Sequence, residues 1–340
     1  MSVTRNDVAA LAGVSVATVS YVVNNGPRPV SAETRERVLR AIEQLDYQPS
    51  AVARSLKTNR TQTVGIVVSD ILNPILAAIA KHAEDLLLPS GHSLILGNSD
   101  ESPEHELQLL RTLVGRRADG VLLLPTGHNQ RTLYSAMEKG CHLGLLDRQV
   151  EGVNADCVMF DNEGGAYEAV QHLIESGHTR IGLLNLPAIL APGRGRLSGY
   201  RRALKDAGLT EDPRLVREVS FKAQECYAMA GELLDVDPPP TALFAASNRL
   251  AEGVLRHVKE RRLRMPDDIA LCVFDDVAAF SYMTPSITAV GYDTREFASR
   301  AVGFLCDRIE DRYDGDARIA QVSCRLIRRE STIGSTPDIA

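Results

Sequence analysis

Between Thr63 and Asp276 short apolar runs alternate with stretches of helical period, and that rhythm limits the fold more than any other feature of the 340-residue chain. The runs TVGIVVS (63–69), HSLILG (92–97), GVLLLP (120–125) and HLGLLD (142–147) have the length of buried strands. Helical stretches fall between them, near 74–88, 102–116 and 130–139. Such alternation predicts a doubly wound parallel α/β sheet. A second series starts at CVMFD (157–161). It runs through helix 163–176, strand 180–186, helix 195–207, strand 215–220, helix 223–235, strand 241–247, helix 248–261 and strand 269–276. Two halves of one rhythm predict two lobes with a cleft between them.

Parallel sheets bind ligands beyond the carboxyl ends of their strands. The polar residues placed there are Asp147, the Phe160-Asp161-Asn162 triplet, Asn248 and Asp275, with Arg196 expected to open a helix. Carboxylate, amide and guanidinium groups in alternation suit a polyol, because each hydroxyl both donates and accepts. The competing use of each residue is a helix cap or an interlobe salt bridge.

The first 47 residues have a different texture. Thr4 with Asp7 three residues on forms a capping box for a first helix, whose apolar face is Val8, Ala9 and Leu11. Gly13 interrupts the pattern where a tight turn needs positive φ, and Ser15 is the next N-cap. Val19, Val22 and Val23 pack the second helix, leaving Val16, Ala17, Ser20 and Tyr21 on its front and far side. This is a helix-turn-helix whose second helix presents its N-terminal end to a DNA major groove. A third helix runs from about Ala32, capped by Ser31, to about Leu45, with Val38, Ile42 and Leu45 on one face. After Pro49-Ser50, AVARSLK makes about two helical turns, too short to be stable alone in water.

Residues 3–68 resemble the LacI/GalR family of bacterial transcription regulators in the pieces DVAALAGVS, TVSYVVN, VSAETRERV, AIEQLDYQP and ARSLK. The resemblance extends through almost the whole chain, to CRLIRREST (324–332). It implies an all-α helix-turn-helix head (1–47) joined by a hinge helix (48–60) to a two-lobed α/β body like that of periplasmic binding proteins (61–334). Lobe 1 would span about 61–160 and 292–321, and lobe 2 about 161–291 and 322–334, with crossings near 160, 291 and 322. The partners it implies are a double-stranded operator of pseudo-palindromic sequence, a second copy of the chain and a small, sugar-like effector. DNA contact then falls to Thr4, Ser15, Val16, Ala17, Thr18, Ser20, Tyr21 and Asn24 in the head, and to Ala53, Leu56 and Lys57 in the hinge. Leu56 matches the family's leucine wedge, which opens a base step and kinks DNA. Effector contact falls to Asn73, Ile75, Asp147, Phe160, Asp161, Arg196, Asn248, Asp275 and Tyr292.

Several positions depart from the family pattern. Ile75 and Leu76 follow Asn73-Pro74 where two aromatics are usual, Val273 replaces a glycine, and Tyr292 stands where glutamine is common. Val16, Ala17 and Tyr21 replace the more polar trio of the best-known members, so the operator differs from theirs. In purine-responsive members the purine-contacting arginine and threonine fall at Leu190 and Pro192, which argues against a purine.

Charge agrees with one basic end. Residues 1–60 hold eight Lys/Arg against five Asp/Glu, a balance of +3 within a chain total of −6, so the remainder carries −9. A basic head on an acidic body suits phosphate contact at one end only. No run of about 18 apolar residues spans a membrane, and MSVTRNDVAA lacks an apolar signal region, so a cytoplasmic protein is expected. The six cysteines (141, 157, 226, 272, 306, 324) contain no CxxC and read as reduced, buried thiols. His172 and His178 are too isolated to ligate a metal. No catalytic constellation, cofactor motif or P-loop is present. GRGRLSG (193–199) mimics a phosphate loop, but Pro187 to Pro192 separates it from the preceding strand. The last segment carries no leucine heptad for a four-chain tail. The rival readings are a carbohydrate receptor of periplasmic type and an α/β enzyme such as a sugar dehydrogenase or kinase. The helix-turn-helix counts against the first, and the missing catalytic motif against the second.

Overall fold

The computed structural model describes residues 3–23, 29–48 and 60–333, and it separates into two compact units that divide between Gln62 and Thr63. In the smaller unit, helix α1 (Arg5–Ala12) is opened by the Asp7 carboxylate, which accepts from both the amide and the hydroxyl of Thr4 (2.8 and 2.7 Å). Gly13 ends it at φ 63°, a left-handed conformation that costs other residues energy. Ser15 caps α2 (Val16–Val23) by accepting from the Thr18 amide, and the two helices meet at 103°, within the range of a helix-turn-helix. α3 (Ala32–Gln44), capped by Ser31, closes a core of Val8, Ala9, Ala12, Val19, Val22, Val38, Ala41 and Tyr47. Leu11 is a correction: it is exposed, and Ala12 takes its expected place because the buried stripe runs through 8, 9 and 12. The hinge segment, with Ala53, Leu56 and Lys57, and the head residue Asn24 lie outside the described residues.

The larger unit holds two six-stranded sheets. β1 (Thr63–Val68), α4 (Pro74–Leu87), β2 (Ser93–Asn98), α5 (Pro103–Gly115), β3 (Gly120–Leu123), α6 (Gln130–Glu138), β4 (His142–Leu146) and β5 (Asp156–Phe160) build the first. α7 (Asn162–Glu175), β6 (Ile181–Asn185), α8 (Ala191–Asp206), β7 (Val216–Glu218), α9 (Ala223–Leu234), β8 (Ala242–Ala245), α10 (Asn248–Arg261), β9 (Ala270–Phe274), α11 (Ala278–Tyr282) and β10 (Thr288–Tyr292) build the second. The chain then returns: α12 (Thr294–Ile309) packs on the first sheet, β11 (Ile319–Val322) joins that sheet, and β12 (Cys324–Ile327) joins the other. The orders are β11-β5-β4-β3-β1-β2 and β12-β10-β9-β8-β6-β7. All pairs are parallel except β10 with β12. Apart from that edge strand the lobes share one topology, with β4 equivalent to β9 and β5 to β10. The central strands, such as β3, β6 and β9, are buried on both faces, which is why they read as continuous apolar runs rather than as alternation.

Two elements differ from the sequence expectation. α8 starts at Ala191, not 195, so GRGRLSG lies inside a helix. Pro192 sits in its first turn, where a missing N–H costs nothing. α11 is five residues long, below what periodicity detects. The six cysteines are free thiols, buried or half-buried; desolvation pushes Cys157 and Cys272 up to about 12.

The packing of α7 on α8 is closest at Gly199. A Cβ there would press on the Glu163 carbonyl and stand 2.8 Å from the Tyr167 amide nitrogen, both backbone atoms that cannot yield alone. Gly199→Ala should therefore lower stability by about 1–3 kcal/mol despite alanine's better helix propensity, read as a fall in the urea midpoint. An unchanged or raised midpoint would show that the two helices part freely.

Candidate functional site

A cleft between the two lobes collects residues from the carboxyl ends of strands in both sheets. Seven of the nine expected effector residues line it: Asn73, Ile75, Asp147, Phe160, Arg196, Asp275 and Tyr292. Lobe equivalence explains the arrangement. Asp147 follows β4 and Asp275 follows β9, each in a left-handed backbone (φ 54° and 78°) that aspartate tolerates better than most residues. Their amides donate to equivalent carbonyls, Val158 and Val290 (2.7 and 3.1 Å). Phe160 ends β5 and Tyr292 ends β10, and their rings stack at 3.8 Å, with Phe297 beyond Phe160 at 4.3 Å. Tyr292, where glutamine is usual in the family, thus supplies an aromatic surface inside the cleft.

Arg196 lies at the centre and is 3% exposed. Its Nε donates to Asn162 Oδ1 (2.9 Å), its Nη1 to the Ala246 carbonyl, and its Nη2 stands 3.9 Å from Asp275 Oδ1. Its guanidinium covers the Phe274 ring at 3.7 Å. Asn162 turns its amide nitrogen the other way, to Asp147 Oδ1 (3.2 Å), which also accepts from the Phe160 amide (3.3 Å). Asp275 accepts from the Tyr292 hydroxyl (2.6 Å) and the Asn248 amide (3.4 Å). Burial pushes the Asp147 carboxyl above the usual carboxylate range, against the pull of Arg196. Burial, with the Asp275 charge beside it, pushes the Tyr292 phenol well up.

Two expected residues are placed differently. The Asp161 carboxylate accepts from the Gly164 amide (2.9 Å) and caps α7, outside the cavity wall. Asn248 stands behind the wall, donating across the cleft to Asn73 Oδ1 (3.3 Å). Among the lining residues not expected to touch an effector are four charged groups and an aromatic ring: Asp70, Glu101, Arg148, Arg249 and Phe221. All but Arg249 follow strand ends, so the carboxyl-end rule alone points to them; Arg249 begins α10. Arg148 makes a bidentate pair with Glu101 (2.7 Å twice) and approaches the Phe221 ring of the other lobe at 5.8 Å. Arg249 pairs with Asp70 across the cleft at 3.3 Å. The cavity left between the lobes is about 70 Å³. These cross-lobe contacts narrow the space that a ligand can occupy between the lobes.

On the head, Thr4, Ser15, Val16 and Ala17 are exposed, and Thr18, Ser20 and Tyr21 are half-buried. Val16 exposes 41% of its surface on the first turn of α2, where a valine gains nothing from solvent. Among the described residues no group of three or more His, Cys, Asp and Glu is placed to hold a metal, and no single helix is long and apolar enough to cross a membrane.

Residues 4–50 match the model of bacterial regulatory proteins of the lacI family, and residues 170–332 that of a periplasmic binding protein-like domain. The chain is 33% identical to the HTH-type transcriptional repressor PurR of Aliivibrio salmonicida over 330 residues, covering 96% of this chain and 98% of that one. It is similar to the structure of the transcriptional regulator CelR in complex with cellobiose (34% identity, 97% and 99% coverage, TM-score 0.74). It is also similar to the lac repressor dimer bound to operator and the anti-inducer ONPF (26%, 98% and 99%, TM-score 0.84).

Asp147 makes a pH-dependent prediction. Its carboxyl protonates at a higher pH in the folded chain than in the unfolded one, so its charge opposes folding at neutral pH and the cost fades as pH falls toward 3.8. Asparagine keeps the acceptor for Phe160 and Asn162 without the charge. Asp147→Asn should raise the thermal midpoint at pH 7, with a difference from wild type that shrinks as the pH is lowered. A midpoint lowered equally at every pH would mean that the carboxylate is stabilised where it stands.

Proposed function

The chain belongs to the LacI family of bacterial regulatory proteins, and we propose that it is a sugar-responsive repressor acting as a homodimer. It is a DNA-binding transcriptional regulator whose operator binding is controlled by a small-molecule effector. The observation that carries the sugar reading is the convergence of Asp147, Arg196 and Asp275 beside the stacked Phe160 and Tyr292. Carboxylate and guanidinium groups together can accept from and donate to hydroxyls, and the Phe160–Tyr292 stack beside them supplies an apolar wall for the C–H surface of a pyranose. Leu190 and Pro192, which offer no polar side chain where purine-responsive members have arginine and threonine, favour a sugar over a purine. CelR, similar over nearly full length, is seen with cellobiose.

In this reading residues 1–47 bind DNA, 48–60 form the hinge and 61–334 bind effector and the second subunit. Val16, Ala17 and Tyr21 read base edges, Thr4, Ser15, Thr18, Ser20 and Asn24 contact the operator around them, and Leu56, flanked by Ala53 and Lys57, wedges a base step. The effector shifts the lobe arrangement and so the order of the hinges. The protein has no enzymatic role and works in the cytoplasm.

Gel shifts with salt titration test the DNA function, since phosphate contacts make affinity fall with salt. Exchanging Val16, Ala17 and Tyr21 together should change the preferred operator while leaving the melting curve nearly unchanged. Constant operator preference would place the recognition surface elsewhere. In the body, Asp275→Asn should weaken effector binding by about 1.5–3 kcal/mol, tenfold or more, while operator affinity survives. A normal effector response in that variant would move the pocket away from Asp275.

A further inference from the structure

The charges in the cleft are already matched among themselves, with one exception. Three cations line it, and each is committed to a protein anion. Arg148 holds both oxygens of Glu101 and the Pro125 carbonyl (3.2 Å). Arg249 sits between Asp70 (3.3 Å) and Glu252 (2.9 Å). Arg196 is divided among Asn162, the Ala246 carbonyl and Asp275, with its face on Phe274. No lysine or histidine lines the cavity among the described residues. Against these three guanidinium groups stand four carboxylates, and the fourth, Asp147, has no ion pair. Its Oδ1 accepts from both the Phe160 amide and the Asn162 amide nitrogen. Its Oδ2 is left to accept from whatever occupies the cleft.

Resting on the sugar reading above, we infer that the effector is an unphosphorylated, uncarboxylated saccharide, and that Asp147 with the self-paired arginines enforces this choice. A phosphate or carboxylate entering the cleft meets an unpaired carboxylate and no free cation. It gains a full counter-charge by taking an arginine from its partner, which leaves that carboxylate, buried for Asp275 and half-buried for Glu101 and Asp70, uncompensated. A hydroxyl donates to Asp147 Oδ2 without disturbing any pair, and a protonated amine does so with charge attraction added. The selection acts by repulsion as much as by contact, which is how a site rejects a ligand that differs by one group.

Calorimetric titration of the full-length protein with matched probes tests the inference: cellobiose and cellobionate, then glucose, glucosamine and glucose 6-phosphate. The expected result is that the uncharged or amino sugar of a set binds at least tenfold tighter than its anionic counterpart. Asp147→Asn should narrow that gap by improving the anion. Tighter binding of the phosphorylated or carboxylated probe, lost in Arg148→Ala, would overturn the inference while the sugar reading stood. If no probe of any charge binds, the sugar reading fails, and the charge inference is judged by sulfate alone. At matched ionic strength, sulfate should raise the wild-type thermal midpoint no more than chloride does. It should raise that of Glu101→Gln, in which Arg148 is released. Specific stabilisation of the wild type by sulfate, abolished in Arg148→Ala, would again overturn the inference.

Discussion

The guanidinium of Arg196 is the contact on which the cleft depends. It reaches from α8 to the first interlobe crossing through Asn162, to the end of β8 through the Ala246 carbonyl, and to the end of β9 through Phe274 and Asp275. A guanidinium removed from water costs several kcal/mol unless its donors are satisfied. Here the ends of separate elements satisfy it, so their relative positions are coupled to one charge. Asn162 extends the coupling to Asp147 and hence to the first lobe. The two aspartates that face a ligand are thus linked through one side chain, in addition to the local hydrogen bonds that hold each of them.

Much of this is legible in the amino-acid sequence. The strands appear as apolar runs because both faces of each sheet are covered by helices, and the residues that end them, Asp147, Phe160, Asp275 and Tyr292, fall on the cleft wall by topology alone. The equivalence of β4 with β9 was less visible, since nothing in HLGLLD and IALCVFDD shows that their aspartates donate their amides to matching carbonyls. The ion pairs could not be read at all. Asp70 with Arg249 and Glu101 with Arg148 are distant in sequence, and only chain crossing brings the first pair together. Asp161 had two uses open to it in the sequence, a ligand contact beside Phe160 and a helix cap, and the structure shows the cap: an aspartate immediately before a helix accepts readily from its first turn. The start of α8 was hidden by Pro187 and Pro192, which read as loop, although proline in the first turn is a normal way for a helix to begin.

The same contacts bear on how a signal could leave the cleft. With about 70 Å³ between the lobes, the arrangement seen is held by the protein's own groups: Asp70 with Arg249, Asn73 with Asn248, and Arg148 near Phe221. An effector changes the balance between lobe arrangements only by the difference in its affinity for them, however tightly it binds. Contacts made wholly within one lobe contribute nothing to that difference. Arg196 and Asp275 belong to the second lobe and Asp147 to the first, joined through Asn162 at a crossing. A ligand that bridges Asp147 and Asp275 is therefore the kind that registers lobe position, and one that touches Arg196 and Asp275 alone is not. Linkage makes the consequence reciprocal: whatever factor the bridged ligand applies to operator affinity, operator applies to ligand affinity. A ligand that parts the cross-lobe pairs gives up part of its binding energy to do so, and only the remainder is left for control of DNA.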